Sequence, residues 1–213
     1  MKVYVQQYCA LGRQYLLIKS IYMMAENAAH NRRSIDEKQT TGGARMIAII
    51  DYDAGNIKSV EKALHYLGEE TVVSRDPQVL LSADKVILPG VGSFGDAMNN
   101  LNKFGLVPVI RELTEKGTPF LGICLGLQLL FESSDETPGV EGLGILKGKI
   151  VKIPPAPGLK IPHMGWNSLH LQNDGRLFKG IPEETYVYFV HSYYLQAKEP
   201  EIVKATAQYG VTI

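Results

Sequence analysis

The fold of this 213-residue chain is decided by the stretch Thr118-Pro-Phe-Leu-Gly-Ile-Cys-Leu-Gly-Leu-Gln-Leu-Leu-Phe131. Its first half is an apolar run of strand length, and Leu125 to Phe131 has the composition of a helix. Cys124 lies at the junction, between Gly122 and Gly126. Small flanking residues allow a sharp turn that exposes a nucleophile, and the amino end of a helix favours thiolate over thiol. We therefore interpret Cys124 as a nucleophile at a strand-to-helix elbow, with a buried structural cysteine as the alternative.

Strands and helices alternate before this elbow. The sequence predicts strands at 46–50, 71–73, 85–88 and 119–123, and helices at 57–67 and 107–113. This order predicts an α/β fold, a mostly parallel open sheet flanked by helices, with its functional site at the carboxyl ends of the strands. Beyond Gly139, short strands at 149–153, 164–171 and 186–194, separated by Gly and Pro turns, predict a small antiparallel extension of the same domain.

Composition excludes several function classes. Lys and Arg together number 22, as do Asp and Glu, so the balance indicates neither a nucleic-acid partner nor a membrane partner. No stretch approaches the ~20 apolar residues that span a bilayer. The two cysteines, Cys9 and Cys124, are too few for a disulfide framework, which favours a reducing compartment. We expect a cytoplasmic protein.

The first 45 residues differ from the rest in charge. They carry seven Lys or Arg and three acidic residues, so this segment is +4 and the remainder is −4. We predict an N-terminal extension over 1–45, disordered or partly helical between Val3 and Met24, followed by one domain over 46–213. A targeting peptide, a partner-binding helix and an upstream extension of the reading frame all remain open for the extension.

A second glycine-rich segment, Pro89-Gly-Val-Gly-Ser-Phe94, follows the strand at 85–88. Glycines allow backbone N–H groups to approach a site closely, as an oxyanion hole for acyl transfer requires, although the motif taken alone is more often a plain turn after a strand. If this strand and the elbow strand are neighbours, the loop and Cys124 share one rim of the sheet. That arrangement is typical of cysteine acyl-transfer enzymes.

Two further motifs, Pro162-His-Met-Gly-Trp-Asn167 and Tyr188-Phe-Val-His-Ser-Tyr-Tyr194, complete a recognisable set with the elbow and the glycine loop. Together the four segments resemble the class I (triad) glutamine amidotransferases, and the resemblance runs from Met46 to the end of the chain. The Pro162 motif and Asp51-Tyr-Asp-Ala-Gly-Asn56 narrow it to the glutaminase subunits of imidazole glycerol phosphate synthase in histidine biosynthesis.

The resemblance implies a role for each motif residue. Cys124 would attack the side-chain amide of the substrate glutamine, release ammonia and hold a glutamyl thioester until water cleaves it. Backbone N–H groups at Gly92 and Leu125 would form the oxyanion hole. The positions that would bind glutamine are Gln128, Glu136, Ser192 and Tyr193.

The resemblance also implies a partner. Asn56, Met164, Trp166 and Asn167 would face a (β/α)8-barrel cyclase, which takes up the ammonia to make imidazole glycerol phosphate and an aminoimidazole carboxamide ribotide. We expect no metal and no organic cofactor.

The sequence departs from the family at one point. Members supply the catalytic base and its orienting carboxylate from a late Phe-His-Pro-Glu segment, and none of the five histidines here is followed by Pro-Glu. We therefore expect a truncated or mis-framed chain that is a poor glutaminase, with an exposed sheet edge and an uncovered apolar face where the family has a further strand and helix. The alternatives are a catalytically silent module that docks on the cyclase and an unrelated cysteine hydrolase of similar topology.

Overall fold

The computed structural model describes residues 3–6, 46–172 and 176–213. Its centre is a parallel sheet of five strands, β1 (Val3–Gln6), β2 (Met46–Ile50), β3 (Glu70–Ser74), β4 (Lys85–Gly90) and β5 (Phe120–Cys124), in the order β1-β5-β4-β2-β3. All four ladders are parallel. The carboxyl ends of the strands therefore meet at one edge, as the sequence predicts.

Helices cover the two faces of this sheet. They are α1 (Ile57–Tyr66), α2 (Pro77–Ser82), α3 (Phe94–Lys103), α4 (Leu106–Glu115) and α5 (Leu125–Gln128). Ile47 and Ile49 of β2 pack in the same cluster as α1, whereas Ala48 and Ile50 pack with α2, α3 and α4. Because both faces are buried, β2 is a continuous apolar run rather than an alternating one.

The second half of the chain forms antiparallel ribbons. β7 (Gly148–Lys152) pairs with β11 (Tyr193–Ala197), and β8 (His163–Ser168) pairs with β10 (Tyr186–His191). The short strands are β6 (Ser133–Ser134), β9 (His170–Leu171), β12 (Ala205–Thr206), β13 (Gln208–Tyr209) and β14 (Val211–Thr212), and two 3-10 turns lie at Arg176–Phe178 and Pro200–Ile202. The predicted antiparallel extension is confirmed. The predicted single strands at 164–171 and 186–194 are each divided in two.

Two expectations need correction, and one helix was not predicted. Residues 3–6 form a strand that pairs with β5, so no helix begins at Val3. This pairing also means that β5 is not an edge strand of the sheet. The rest of the expected helix lies outside the described residues. The helix expected over 125–131 ends at Gln128. Helix α3 was not predicted, although Ser93 accepts a hydrogen bond from the backbone N–H of Asp96 and so gives an N-cap signal.

No helix in the described part of the chain is long and apolar enough to cross a membrane.

Candidate active site

Cys124 ends β5 in a backbone conformation that non-glycine residues rarely adopt. Its φ is 55° and its ψ is −116°, and α5 begins at the next residue. Positive φ at a non-glycine residue stores strain, and such strain concentrates at functional sites. The conformation turns the chain sharply from strand to helix and leaves the residue partly exposed. This is the elbow that the sequence predicts.

The elbow requires glycine on both sides because other backbone segments lie against it. A Cβ at Gly126 would stand 1.9 Å from the Leu88 carbonyl oxygen, and one at Gly122 would stand 2.7 Å from the Cα of Leu127. Neither position has room for a side chain. The glycines therefore allow α5 to pack directly on the ends of β4 and β5.

The glycine loop and Cys124 lie on adjacent strands, as predicted. Gly90, the last residue of β4, is the register partner of Cys124 in β5. Gly92 follows with φ 96°, a conformation that favours glycine. The loop then enters α3, whose first backbone N–H, from Phe94, donates to Glu136 Oε2 at 2.8 Å. The loop and the thiol thus both lie at the carboxyl ends of the parallel strands.

The predicted glutamine-binding residues lie in three different elements. Gln128 is buried at the end of α5. Glu136 lies in the loop after β6, with one carboxylate oxygen bound at the start of α3. Ser192 separates β10 from β11, where its carbonyl oxygen accepts from the Ile153 N–H. Tyr193 is half-buried at the start of β11. Gln128 follows Cys124 by one helical turn, and Glu136 holds the helix that begins at the glycine loop.

The predicted partner-facing residues divide into two groups. Met164 and Trp166 alternate along β8 and are 61% and 52% exposed. Asn167 points to the opposite face of β8 and donates from Nδ2 to the Gln208 carbonyl oxygen at 2.8 Å. Asn56 caps α1, where its Oδ1 accepts from the Ser59 N–H. The structure therefore brings Met164 and Trp166 together and gives the two asparagines internal hydrogen bonds.

Two histidines form a buried pair beneath the same ribbon. His163 Nδ1 and His191 Nε2 are 3.1 Å apart, and the His163 ring stacks between Phe189 and Tyr209. Burial, followed by the charge of His191, lowers the pKa of His163 to about 4, and burial lowers the pKa of His191. Both imidazoles are therefore neutral at neutral pH, and the nitrogens that face each other are engaged within the pair.

One residue of the rim was missed by the sequence reasoning. Tyr52 follows β2 within the motif Asp51-Tyr-Asp-Ala-Gly-Asn56, and its hydroxyl donates to the Pro89 carbonyl oxygen at 2.8 Å. Its ring is fully buried. The available signal was its position: it comes directly after a predicted parallel strand and therefore at the same edge as Cys124.

Comparison with known proteins gives one family. The pattern of the family "Glutamine amidotransferase class-I" matches residues 48–211. Imidazole glycerol phosphate synthase subunit HisH from Moorella thermoacetica is 53% identical over 167 residues, which cover 78% of this chain and 79% of that protein. Subunit HisH 1 from Methanococcus maripaludis is 48% identical over 169 residues, covering 78% and 82%.

Solved structures agree at the level of the fold. A crystal structure of a glutamine amidotransferase superposes with a TM-score of 0.59 at 19% identity, covering 80% of this chain and 87% of that one. A putative GMP synthase subunit from Thermoplasma acidophilum gives 0.56 at 18% identity, covering 79% and 76%. With its elbow cysteine and the extent of its identity to the HisH subunits, the chain belongs to the class-I glutamine amidotransferase family.

Proposed function

We propose that this protein is the glutaminase subunit of imidazole glycerol phosphate synthase and acts in histidine biosynthesis. The observation that supports this proposal most directly is the strained elbow at Cys124, which is in register with Gly90 of the glycine loop. Relatives that share about half of its residues bear the name of that subunit, which supports the assignment. The absence of a disulfide framework from the sequence supports a cytoplasmic location.

The chemistry follows from a cysteine at a strand-to-helix elbow. The Cys124 sulfur attacks the side-chain carbonyl carbon of glutamine, and N–H groups of the Gly92 and Leu125 region stabilise the resulting oxyanion. The carbon–nitrogen bond then breaks, and the nitrogen takes up a proton and leaves as ammonia. Water adds to the remaining thioester, the carbon–sulfur bond breaks, and glutamate leaves while the thiol is restored. Proton transfer in these steps needs a general base, which the family takes from its Phe-His-Pro-Glu segment.

Substrate binding is the task we assign to the four polar residues that the resemblance indicates. Glu136 has a second carboxylate oxygen for the α-ammonium of glutamine, since Oε2 is bound to the Phe94 N–H. Gln128 is one helical turn from the thiol, and Ser192 and Tyr193 supply donors for the α-carboxylate.

We further propose that a partner subunit uses the ammonia made at this site. Met164, Trp166 and Tyr186 form an exposed apolar face on β8 and β10, with the Trp166 ring edge-on to Tyr188 at 5.5 Å between centroids. Exposed aromatic residues of this kind anchor protein interfaces. We assign this face to a (β/α)8-barrel cyclase subunit that receives the ammonia.

Glutamate release from glutamine, with and without the cyclase, tests the proposal. We expect glutamate and ammonia in equal amounts, released slowly because no histidine of this sequence is followed by Pro-Glu, with a glutamyl adduct on Cys124 detectable by mass spectrometry. Cys124→Ala should lower the rate by at least ~10³-fold because it removes the nucleophile. Cys9→Ala, the matched control at the other cysteine, should keep the parent rate.

The remaining outcomes distinguish the alternatives. Tight binding to the cyclase without glutamate release from the parent chain would contradict the enzyme assignment and support a silent docking module. Glutamate release that survives Cys124→Ala would contradict the assignment of the nucleophile.

A further inference from the structure

The hydroxyl of Tyr52 is the polar group that joins the end of β2 to the start of the glycine loop. Its ring is fully buried in the main core, and the hydroxyl donates to the Pro89 carbonyl oxygen at 2.8 Å. A Cβ placed on Gly90 would lie 2.9 Å from this hydroxyl, so phenol and loop backbone are in close contact. The hydroxyl of a buried tyrosine thus contacts Pro89 and Gly90, the end of the strand that pairs with the Cys124 strand.

The bonded carbonyl matters because of peptide geometry. The Pro89 carbonyl and the Gly90 N–H belong to one planar trans peptide and point in opposite directions. Holding the carbonyl therefore sets the orientation of this peptide and the direction in which the chain leaves β4. Gly90 is in register with Cys124, and Gly92 is only two residues further on. An error at this peptide would propagate into the backbone N–H groups of residues 90–93, to which we assign the oxyanion hole.

The far end of the loop is also held. The Phe94 N–H donates to Glu136 Oε2 at 2.8 Å, and the Gly95 N–H donates to Thr137 Oγ1 at 3.2 Å. Only residues 90–93 lie between these bonds and the bond from Tyr52. The loop is therefore a short span with an anchor at each end, and Tyr52 is the anchor beside Cys124.

The position of Tyr52 is itself fixed from both sides. Its neighbours Asp51 and Asp53 both accept hydrogen bonds from the Arg75 guanidinium, which lies over the Phe104 ring. Burial, followed by the charge of Cys124, raises the pKa of the Tyr52 hydroxyl. The group therefore remains protonated and keeps its role as a donor.

We propose that Tyr52 is a positioning residue of the glutaminase site, which orients the glycine loop for oxyanion stabilisation by holding the Pro89 carbonyl. The proposal rests on the proposed function above. Tyr52 acts through the loop, and its effect belongs to the transition state rather than to glutamine binding.

Tyr52→Phe tests this because it removes the hydroxyl and keeps the buried ring. In the full chain with the cyclase we expect kcat for glutamate release to fall by about tenfold to a hundredfold. That is less than the ~10²–10³-fold cost of deleting an oxyanion donor outright. KM should stay within twofold, and so should the rate at which iodoacetamide alkylates Cys124, because that displacement forms no oxyanion. Tyr66→Phe, at a tyrosine that is 78% exposed, should match the parent in every measurement.

Hydrogen exchange by mass spectrometry gives a readout that needs no turnover. The amides of residues 90–94 should exchange about tenfold faster in Tyr52→Phe, and those of α1 should not change. A kcat within twofold of the parent, or unchanged exchange at 90–94, would overturn the proposal. A parent chain that releases no glutamate would instead contradict the proposed function, and the exchange result would then decide alone whether Tyr52 holds the loop.

Discussion

The strain at Cys124 is tolerated because its surroundings leave no alternative backbone path. With φ at 55°, the residue is held between β5, whose register with β4 extends to Cys124 itself, and the turn of α5 that follows. Gly122 and Gly126 make this possible by admitting backbone where other residues carry a Cβ. The partial exposure of Cys124 is therefore a product of close packing around it.

At this scale, Gly126→Ala should be severely destabilising. The added methyl would stand 1.9 Å from the Leu88 carbonyl oxygen, which is backbone and cannot move aside. We expect a loss of more than about 3 kcal/mol in the free energy of unfolding, measured by urea denaturation. Gly68→Ala is the matched control: its φ is 74° but its Cβ has open space, so the cost should be about 1–2 kcal/mol. Equal losses in the two variants would contradict the proposed close contact.

At the scale of elements, β8 and β10 form a ribbon with two different faces. His163, Val187, Phe189 and His191 are buried on one face, and Met164, Trp166 and Tyr186 are exposed on the other. The sequence indicated strands here, but an alternating strand does not reveal which face is covered. Asn167 illustrates the difficulty, because its motif grouped it with Trp166 although pleating points the two side chains in opposite directions.

The histidine pair in this ribbon should make stability depend on pH. Folding lowers the pKa of His163 from 6.5 to about 4, with burial as the main cause, and also lowers the pKa of His191. Between those values the unfolded chain binds more protons than the folded one. The contribution of the pair is therefore complete above pH 6.5 and is lost as the pH falls toward 4.

Urea denaturation between pH 7 and pH 5 checks this, since carboxylates titrate mainly below that range. We expect the free energy of unfolding to fall across this range in the parent and in His170→Gln, a control at an exposed histidine. The double variant His163→Gln/His191→Gln should lose most of that dependence. An unchanged pH dependence in the double variant would show that the pair does not cause it.

At the scale of the whole molecule, different groups lie at the two ends of the parallel strands. Cys124, the glycine loop and Tyr52 lie at the carboxyl edge. Helix α1 starts after β2 at that edge and returns to the amino edge, where it ends at Tyr66. A large side chain can therefore be exposed at the amino edge without being near the site.

The exposed Tyr66 supplies a control for the proposed docking surface. Trp166→Ala should weaken binding to the barrel cyclase by about 2 kcal/mol, roughly 30-fold in Kd, because it removes an exposed aromatic anchor. Tyr66→Ala, which removes a more exposed ring at the end of α1, should leave Kd within twofold. Calorimetric titration with the cyclase measures both. A Trp166→Ala variant that binds the cyclase as tightly as the parent would show that β8 is not part of the interface.

The amino-acid sequence by itself determined the parallel α/β sheet and the elbow at Cys124. These follow from local apolar patterns and from glycines whose conformational freedom is a property of the residue. Only the tertiary structure decided that residues 3–6 pair with β5, that Tyr52 holds Pro89 and that Asn167 faces away from Trp166. Each of these depends on contacts between residues distant in sequence, or on which face of a strand is covered. Local patterns do not encode either property.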